Sequence, residues 1–198
     1  MIRASRREPG TRIRGSARSQ DGGYHSDFQH GVIDYYSRIG PTYENPDEPH
    51  IAAALTHVVH RLDLRHVLDL ACGSGEATRW VLASGGHSII AADPYTAQAF
   101  AARNVRAIDA NYVNFQTYSF ERVAAGRLSK ARFSTVLCTY AINLLPIEAT
   151  LPFFTQMRKI TDTFVAALPY WSPPTDVPHW RSEQIRVGKV YMCIYTAA

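Results

Sequence analysis

Val67-Leu68-Asp69-Leu70-Ala71-Cys72-Gly73-Ser74-Gly75-Glu76-Ala77-Thr78 sets an apolar strand, a turn of small residues and the opening of a helix in direct succession. Seventeen residues past Glu76, a second apolar stretch, His87 to Ala92, ends on Asp93. Glycines in such a turn let a ligand approach the backbone. An acid at the tip of the second strand accepts hydrogen bonds from two ribose hydroxyls. The two features together point to a nucleoside-bearing cofactor.

The spacing narrows the choice of nucleoside. A dinucleotide fingerprint, Gly-x-Gly-x-x-Gly, uses its third glycine to pack helix against strand. Gly73 and Gly75 supply the first two, but Thr78 stands at the third. Asp69 also occupies a strand position that is usually apolar in dinucleotide sites. No Gly-Lys-Ser/Thr follows, so the phosphate loop of nucleotide hydrolases is excluded. The string, spaced ahead of Ile-Ile-Ala-Ala-Asp-Pro-Tyr, resembles motif I of the class I S-adenosylmethionine-dependent methyltransferases. Ala71 replaces the first glycine of that motif, and an alanine there is expected to keep φ below zero.

The chain of 198 residues is one domain in size. No apolar run approaches the ~20 residues that span a bilayer, so no membrane partner is expected. The three cysteines, Cys72, Cys138 and Cys193, are scattered, which favours a reducing compartment over a disulfide scaffold or zinc site. The net charge is +4, yet residues 1–20 alone hold six arginines against Glu8, leaving the remainder at −1. The basic balance therefore lies in the tail and weakens a nucleic-acid reading of the domain. RNA enters as an acceptor only through that tail. A cytoplasmic location is expected. The alternative is mitochondrial, since an Arg-rich, Ser-containing, acid-poor start also describes a transit peptide.

Residues 1–26 lack apolar periodicity and are expected to be a disordered basic tail, ahead of a single domain over 27–198. Within it, 27–62 reads as a helical arm or lid. Phe28 to Ile39 is a short helix ended by Gly40-Pro41, and Ile51 to Leu62 an amphipathic helix with Ile51, Leu55, Val58, Val59 and Leu62 on one stripe. From Val67 the pattern alternates. Strand Val67–Ala71 precedes helix Glu76–Ala83, and strand Ser88–Ala92 precedes helix Thr96–Arg103. A weaker strand lies between Val105 and Thr117, with a helix near Phe120–Leu128 after it. Strand Ser134–Thr139, helix Glu148–Ile160 and strand Thr163–Leu168 follow. Short continuous apolar strands indicate a parallel sheet buried on both faces. Glu183–Val187, Gly188 and Lys189–Thr196 read as a hairpin. The expected fold is α/β: a Rossmann-like, seven-stranded methyltransferase sheet, mostly parallel, with helices on both faces and a C-terminal antiparallel hairpin. The helix that usually precedes that hairpin is not expected, because Trp171 to Pro178 is too rich in proline.

The resemblance implies S-adenosyl-L-methionine as cofactor, lying across the carboxyl ends of the strands, and it assigns candidate contacts. Asp69 would hold the amino group. Ala71, Cys72, Gly73 and Gly75 would form the turn against the ligand. Asp93 would take the ribose, with Pro94 and Tyr95 beside the adenine. The residue at the adenine edge is open between Gln116–Thr117, which fits the spacing, and Asp109, which carries the acid. Cys138, Thr139 and Tyr140 would flank the methionine part. Tyr36 and Tyr43, with Tyr35, Arg38 and Asn45, would form a lid over the cofactor or acceptor. For Asp69 and Asp93 helix capping is the competing role, and for Asn143 likewise. No catalytic residue is assigned; Tyr140, Asn143 and His179 are the candidates. His57 and His60 lie one helical turn apart with His50 upstream, but the pair has no third ligand at suitable spacing and no acid partner, so no metal is expected. The implied activity is methyl transfer to a small molecule. A methyltransferase-like protein that binds without catalysis is the alternative, and a nicotinamide-dependent enzyme the third reading. Oligomeric state is not legible.

Overall fold

The computed structural model describes residues 34–45, 48–103, 113–117, 123, 126, 128, 130–145, 147–170 and 172–198. The expected basic tail over 1–26, the start of the helix Phe28–Ile39, Asp109, Trp171 and most of the helix near Phe120–Leu128 lie outside the described residues.

Helix α1 covers 34–39 and runs into a 3-10 turn, Gly40–Thr42. The other helices are α2 (Glu48–Val58), α3 (Glu76–Ala83), α4 (Ala97–Ala102) and α5 (Ile147–Ile160). The strands are β1 (Val67–Leu70), β2 (Ile89–Ala92), β3 (Val113–Gln116), β4 (Thr135–Thr139), β5 (Thr163–Pro169), β6 (Trp180–Val187) and β7 (Val190–Ala197). They form one sheet of seven in the order β3-β2-β1-β4-β5-β7-β6. The first five are parallel, and β7 is antiparallel to both β5 and β6. This is the sheet that the alternating pattern predicts.

Two cores flank the sheet, which is why its central strands read as unbroken apolar runs. On one face Leu55 of α2, Val81 of α3 and Phe100 of α4 pack on Val67, Ile89, Val165 and Met192. On the other, Phe153, Phe154 and Met157 of α5 pack on Leu68, Val136, Phe164 and Tyr195. Strand β7 keeps the expected alternation, with Val190, Met192 and Ile194 facing the first core and Cys193 and Tyr195 the second. It lies between two strands and is covered on both faces, so both sets are buried. Helix α2 tightens to 3-10 geometry after Val58, which leaves Val59 and Leu62 of the predicted stripe only half-buried.

Residues 172–179 are not helical, as their prolines require. They carry the chain as an extended crossover from the carboxyl end of β5 back to the amino end of the sheet, where Trp180 pairs with Ala197. Val177 and Trp180 fill the second core in the place of a helix. The Tyr195 hydroxyl donates to the Pro174 carbonyl, and Ser182 donates to that of Thr175 at 2.5 Å.

The turn from β1 into α3 needs left-handed backbone three times, at Ala71 (φ 58°), Gly73 (φ 55°) and Gly75 (φ 93°). The expectation of negative φ at Ala71 is therefore corrected. The strand must reverse within five residues, and alanine accepts the conformation that glycine holds freely, at about 1–2 kcal/mol. Ala71→Gly should recover about 0.5–1 kcal/mol after the extra entropy of the unfolded glycine is counted, a rise of about 2 °C in the melting temperature. An unchanged or lowered melting temperature would show that the turn carries no strain. Thr78→Val removes a hydroxyl hydrogen-bonded to the buried Asp69 carboxylate and should cost about 1.5–3 kcal/mol, measurable by urea denaturation.

Candidate functional site

The parallel register brings the ends of four strands to one edge. Leu70 lies beside Ala92, Ala92 beside Gln116, and Asp69 beside Leu137. The chain order reverses between β1 and β4, and a crevice opens at such a switch point.

Asp69 is fully buried on β1, between Ala91 of β2 and Leu137 of β4. Its Oδ2 accepts from the Thr78 hydroxyl at 2.5 Å. Thr78, itself fully buried, thus ties α3 to β1 by a hydrogen bond, in the place where a dinucleotide fold would use the close packing of a glycine.

Asp93 is nearly buried and is a clamp. Its Oδ1 accepts from the Tyr95 and Thr96 backbone N–H groups at 2.8 and 3.1 Å, and its Oδ2 accepts from Gly73 N–H at 3.3 Å. Thr96 returns a bond from its hydroxyl to the Gly73 carbonyl at 2.6 Å. Capping of the turn into α4 and contact with the glycine turn are made by the same carboxylate. Burial pushes the Asp93 carboxyl upward, and the N–H donors pull against it. Cys72, next to Gly73, has its thiol pushed well up, by burial first and then by the charges of Asp69 and Asp93.

A cleft opens beside this clamp. Of the expected residues, Ala71, Cys72 and Gly73 of the turn, Thr139 and Tyr140 after β4, and Tyr43 and Asn45 of the N-terminal segment line it. Ile51, Glu76 and Ala77 also line it and were not expected from the sequence. Glu76 reads as an ordinary acid in the first turn of α3. Its position directly behind Gly-Ser-Gly was the available signal.

The N-terminal segment reaches the site through two glycine contacts. A Cβ at Gly40 would lie 2.1 Å from the Tyr95 carbonyl oxygen, so only glycine lets the 3-10 turn sit against that loop. A Cβ at Gly73 would lie 2.7 Å from Cε1 of Tyr43. The bare face of Gly73, expected to meet a ligand, receives the Tyr43 ring. Tyr36 packs on Tyr43 with centroids 5.8 Å apart, and Tyr35 on Tyr36 at 5.3 Å. Arg38 is exposed and paired with Asp34 at 3.0 Å.

The remaining candidates divide. Gln116 flanks Asp93, since its carbonyl accepts from Asp93 N–H at 3.0 Å, and its amide donates to Asn114 at 2.7 Å. Thr117 beside it is exposed. Pro94 and Tyr95 lie on the same shoulder, outside the cleft lining. Gly75 caps α3 rather than facing the cleft. The Cys138 side chain belongs to the core on the opposite face from Ile51 and Cys72, and burial pushes its thiol up. Tyr140 holds φ 67° and donates its N–H to Ala167 at 2.8 Å. Asn143 sits in the 3-10 turn Ile142–Leu144, with a buried Oδ1 that accepts no hydrogen bond among the described residues. His179 is corrected. It precedes the Trp180–Ala197 pair at the amino end of the sheet and its carbonyl accepts from Ala198 at 3.2 Å. The crossover carries it the full length of the strands away from the cleft, so it is no general base there. Among the described residues, no group of three or more His, Cys, Asp or Glu is placed to hold a metal ion, and no helix is long and apolar enough to cross a membrane.

A family profile described as "Methyltransferase domain" matches residues 67–163, from β1 to the first residue of β5. Among solved structures, a DhpI–SAH complex superposes with a TM-score of 0.63 at 14% identity, over 86% of this chain and 97% of that one. Magnesium protoporphyrin IX methyltransferase (ChlM) from Synechocystis PCC 6803, solved with bound SAM, gives 0.58 at 13% identity, over 86% and 97%. An O-methyltransferase family protein from Burkholderia thailandensis gives 0.58 at 12% identity over 75% of this chain, which spans only 56% of that longer protein. No curated protein matches by sequence. The profile match over residues 67–163, just under half of the chain, and a sheet of this strand order make the chain similar to the class I S-adenosylmethionine-dependent methyltransferases.

Proposed function

We propose that the protein methylates a small molecule held in the cleft between the N-terminal segment, the glycine turn and the end of β4. The observation that carries this is the Asp93 clamp. A buried carboxylate at the tip of β2 reaches the backbone of the β1 turn, and the cleft opens directly beside it. The donor set suits S-adenosylmethionine: a carboxylate for the ribose, a left-handed glycine turn, and aromatic and amide groups on the lid side. That cofactor supplies an electrophilic methyl on a sulfonium. The task left to the chain is to orient a nucleophile and exclude water, which strengthens every charge interaction inside. Tyr43 and Asn45 close the cleft from above while Thr139 and Tyr140 wall it from β4. A cleft set into the domain, in a chain whose net positive charge lies in residues 1–20 and whose remainder is close to neutral, favours a small acceptor over a polymer.

The non-catalytic alternative loses two of its supports. Ala71 adopts left-handed backbone (φ 58°), which glycine holds freely, and the crossover at 172–179 covers the core with Val177. The adenine edge, open between Gln116–Thr117 and Asp109, remains its one argument.

Asp93→Ala should weaken S-adenosylmethionine binding at least ten-fold by calorimetric titration, about 1.4 kcal/mol. Asp93→Asn keeps one oxygen for the Tyr95 and Thr96 amides and should lose affinity with a smaller change in melting temperature. Equal affinity in all three proteins would remove Asp93 from the cofactor site. Formation of S-adenosylhomocysteine across a panel of small phenols, amines and carboxylates tests catalysis itself. Tight binding with no turnover on any of them would favour the non-catalytic reading.

A further inference from the structure

The turn of the C-terminal hairpin lies at the same edge of the sheet as the cleft. Pro169, the last residue of β5, pairs with Val190, so residues 187–190 stand beside the carboxyl end of that strand. The next residue, Tyr170, is 61% exposed and holds φ 63°. Left-handed backbone costs a tyrosine free energy that a glycine would not lose, and a ring so exposed returns little by burial. Strain kept under an exposed side chain points to a role outside packing. The ring is also held in place. The Tyr170 N–H donates to the Lys189 carbonyl at 2.8 Å, and Lys189 Nζ lies 5.3 Å from the ring centroid. Arg186, which is exposed, repeats the arrangement across the β6–β7 pair, with its guanidinium carbon 5.0 Å from the Tyr191 centroid. Its Nε donates to the Gly188 carbonyl at 3.1 Å, which uses one of the five N–H donors of a guanidinium. Two cations laid on two rings are ordered in advance, so less side-chain freedom is lost when an anion binds them.

This shelf is within reach of the cleft. Tyr140 walls the cleft and donates its N–H to Ala167. Tyr170 lies three residues further along the chain, about 10 Å in extended geometry. We propose that Arg186 and Lys189, seated on Tyr191 and Tyr170, bind an anionic group of the methyl acceptor, a carboxylate or a phosphate, while the other end of the acceptor enters the cleft past Tyr140. The proposal rests on the reading of the protein as a small-molecule methyltransferase. It narrows the acceptor to a molecule that carries negative charge roughly 10 Å from the atom that is methylated. Two cations suit one anionic group. A nucleic-acid strand is tracked by a longer basic groove, and the chain outside residues 1–20 is close to neutral.

The test is titration of benzoate, phenyl phosphate and neutral benzamide into the full chain saturated with S-adenosylhomocysteine, at fixed ionic strength, followed by nuclear magnetic resonance of the probe. Both anions should bind at least about five-fold more tightly than benzamide, and the double variant Arg186→Gln, Lys189→Gln should bring the three level. The tighter anion tells carboxylate from phosphate. Tyr170→Gly should weaken both anions at least about three-fold while holding or raising the melting temperature, because glycine takes the left-handed turn freely. A lowered melting temperature with unchanged anion binding would give the ring to folding alone and overturn the shelf. Equal binding of the three probes by the wild type, or anion binding that survives in the double variant, overturns it as well. So does oligouridylate that binds at least about ten-fold more tightly than phenyl phosphate and is lost in the double variant, since that surface would serve RNA. S-adenosylmethionine affinity should be the same in the double variant and the wild type, so each of these failures leaves the methyltransferase reading intact. That reading fails separately, if the wild type binds no S-adenosylmethionine.

Discussion

A carboxylate at the centre of an apolar sheet is the constraint around which the cofactor half is arranged. Asp69 has no exposure, and its strand neighbours at that level are Ala91 and Leu137. A charge so placed is costly unless it is hydrogen-bonded. The Thr78 hydroxyl supplies one bond, and that bond fixes how α3 enters from the turn. The turn must then reverse sharply enough to bring Thr78 back over Asp69. It does so through left-handed residues 71, 73 and 75. The second clamp, Asp93 on Gly73, is possible only because the turn has that shape.

Much of this was legible in the sequence because it rests on local patterns. The strand–turn–helix string and the acid after β2 set the position and identity of Asp69, Gly73 and Asp93. Helix Glu76–Ala83 has the residues that the pattern predicts. The hairpin showed in the alternation around Gly188, although β6 begins at Trp180, three residues before the apolar signal. It is an edge strand with polar residues on it, and its pairing with β7 is set by partners distant in sequence.

What escaped the sequence depended on long-range topology. His179 sits in a loop rich in proline and aromatics, which could equally cover an active site or only pack on the domain, and the crossover delivers it to the amino end of the sheet. Only the antiparallel order β5-β7-β6 reveals that. Cys138 lies one residue before Thr139, and the pleat of β4 sends the two side chains to opposite faces. Ile51 and Ala77 look like core residues and are largely that, with one flank left at the cleft. The role of Gly40 was invisible too, since the Tyr95 carbonyl that demands a glycine is fifty-five residues away.

The outer margin of the sheet has a consequence for behaviour at high concentration. Strand β6 is eight residues long, and among the described residues one side of its backbone ladder has no neighbouring strand. A long unpaired strand invites another chain to add to it. Arg181, Glu183, Gln184 and Arg186 project along this one and are exposed, and Glu183 is pinned by Arg61 at 2.6 Å. Any incoming strand would have to strip water from these groups, so the margin repels templated growth. The opposite margin is protected by brevity, because β3 is four residues long.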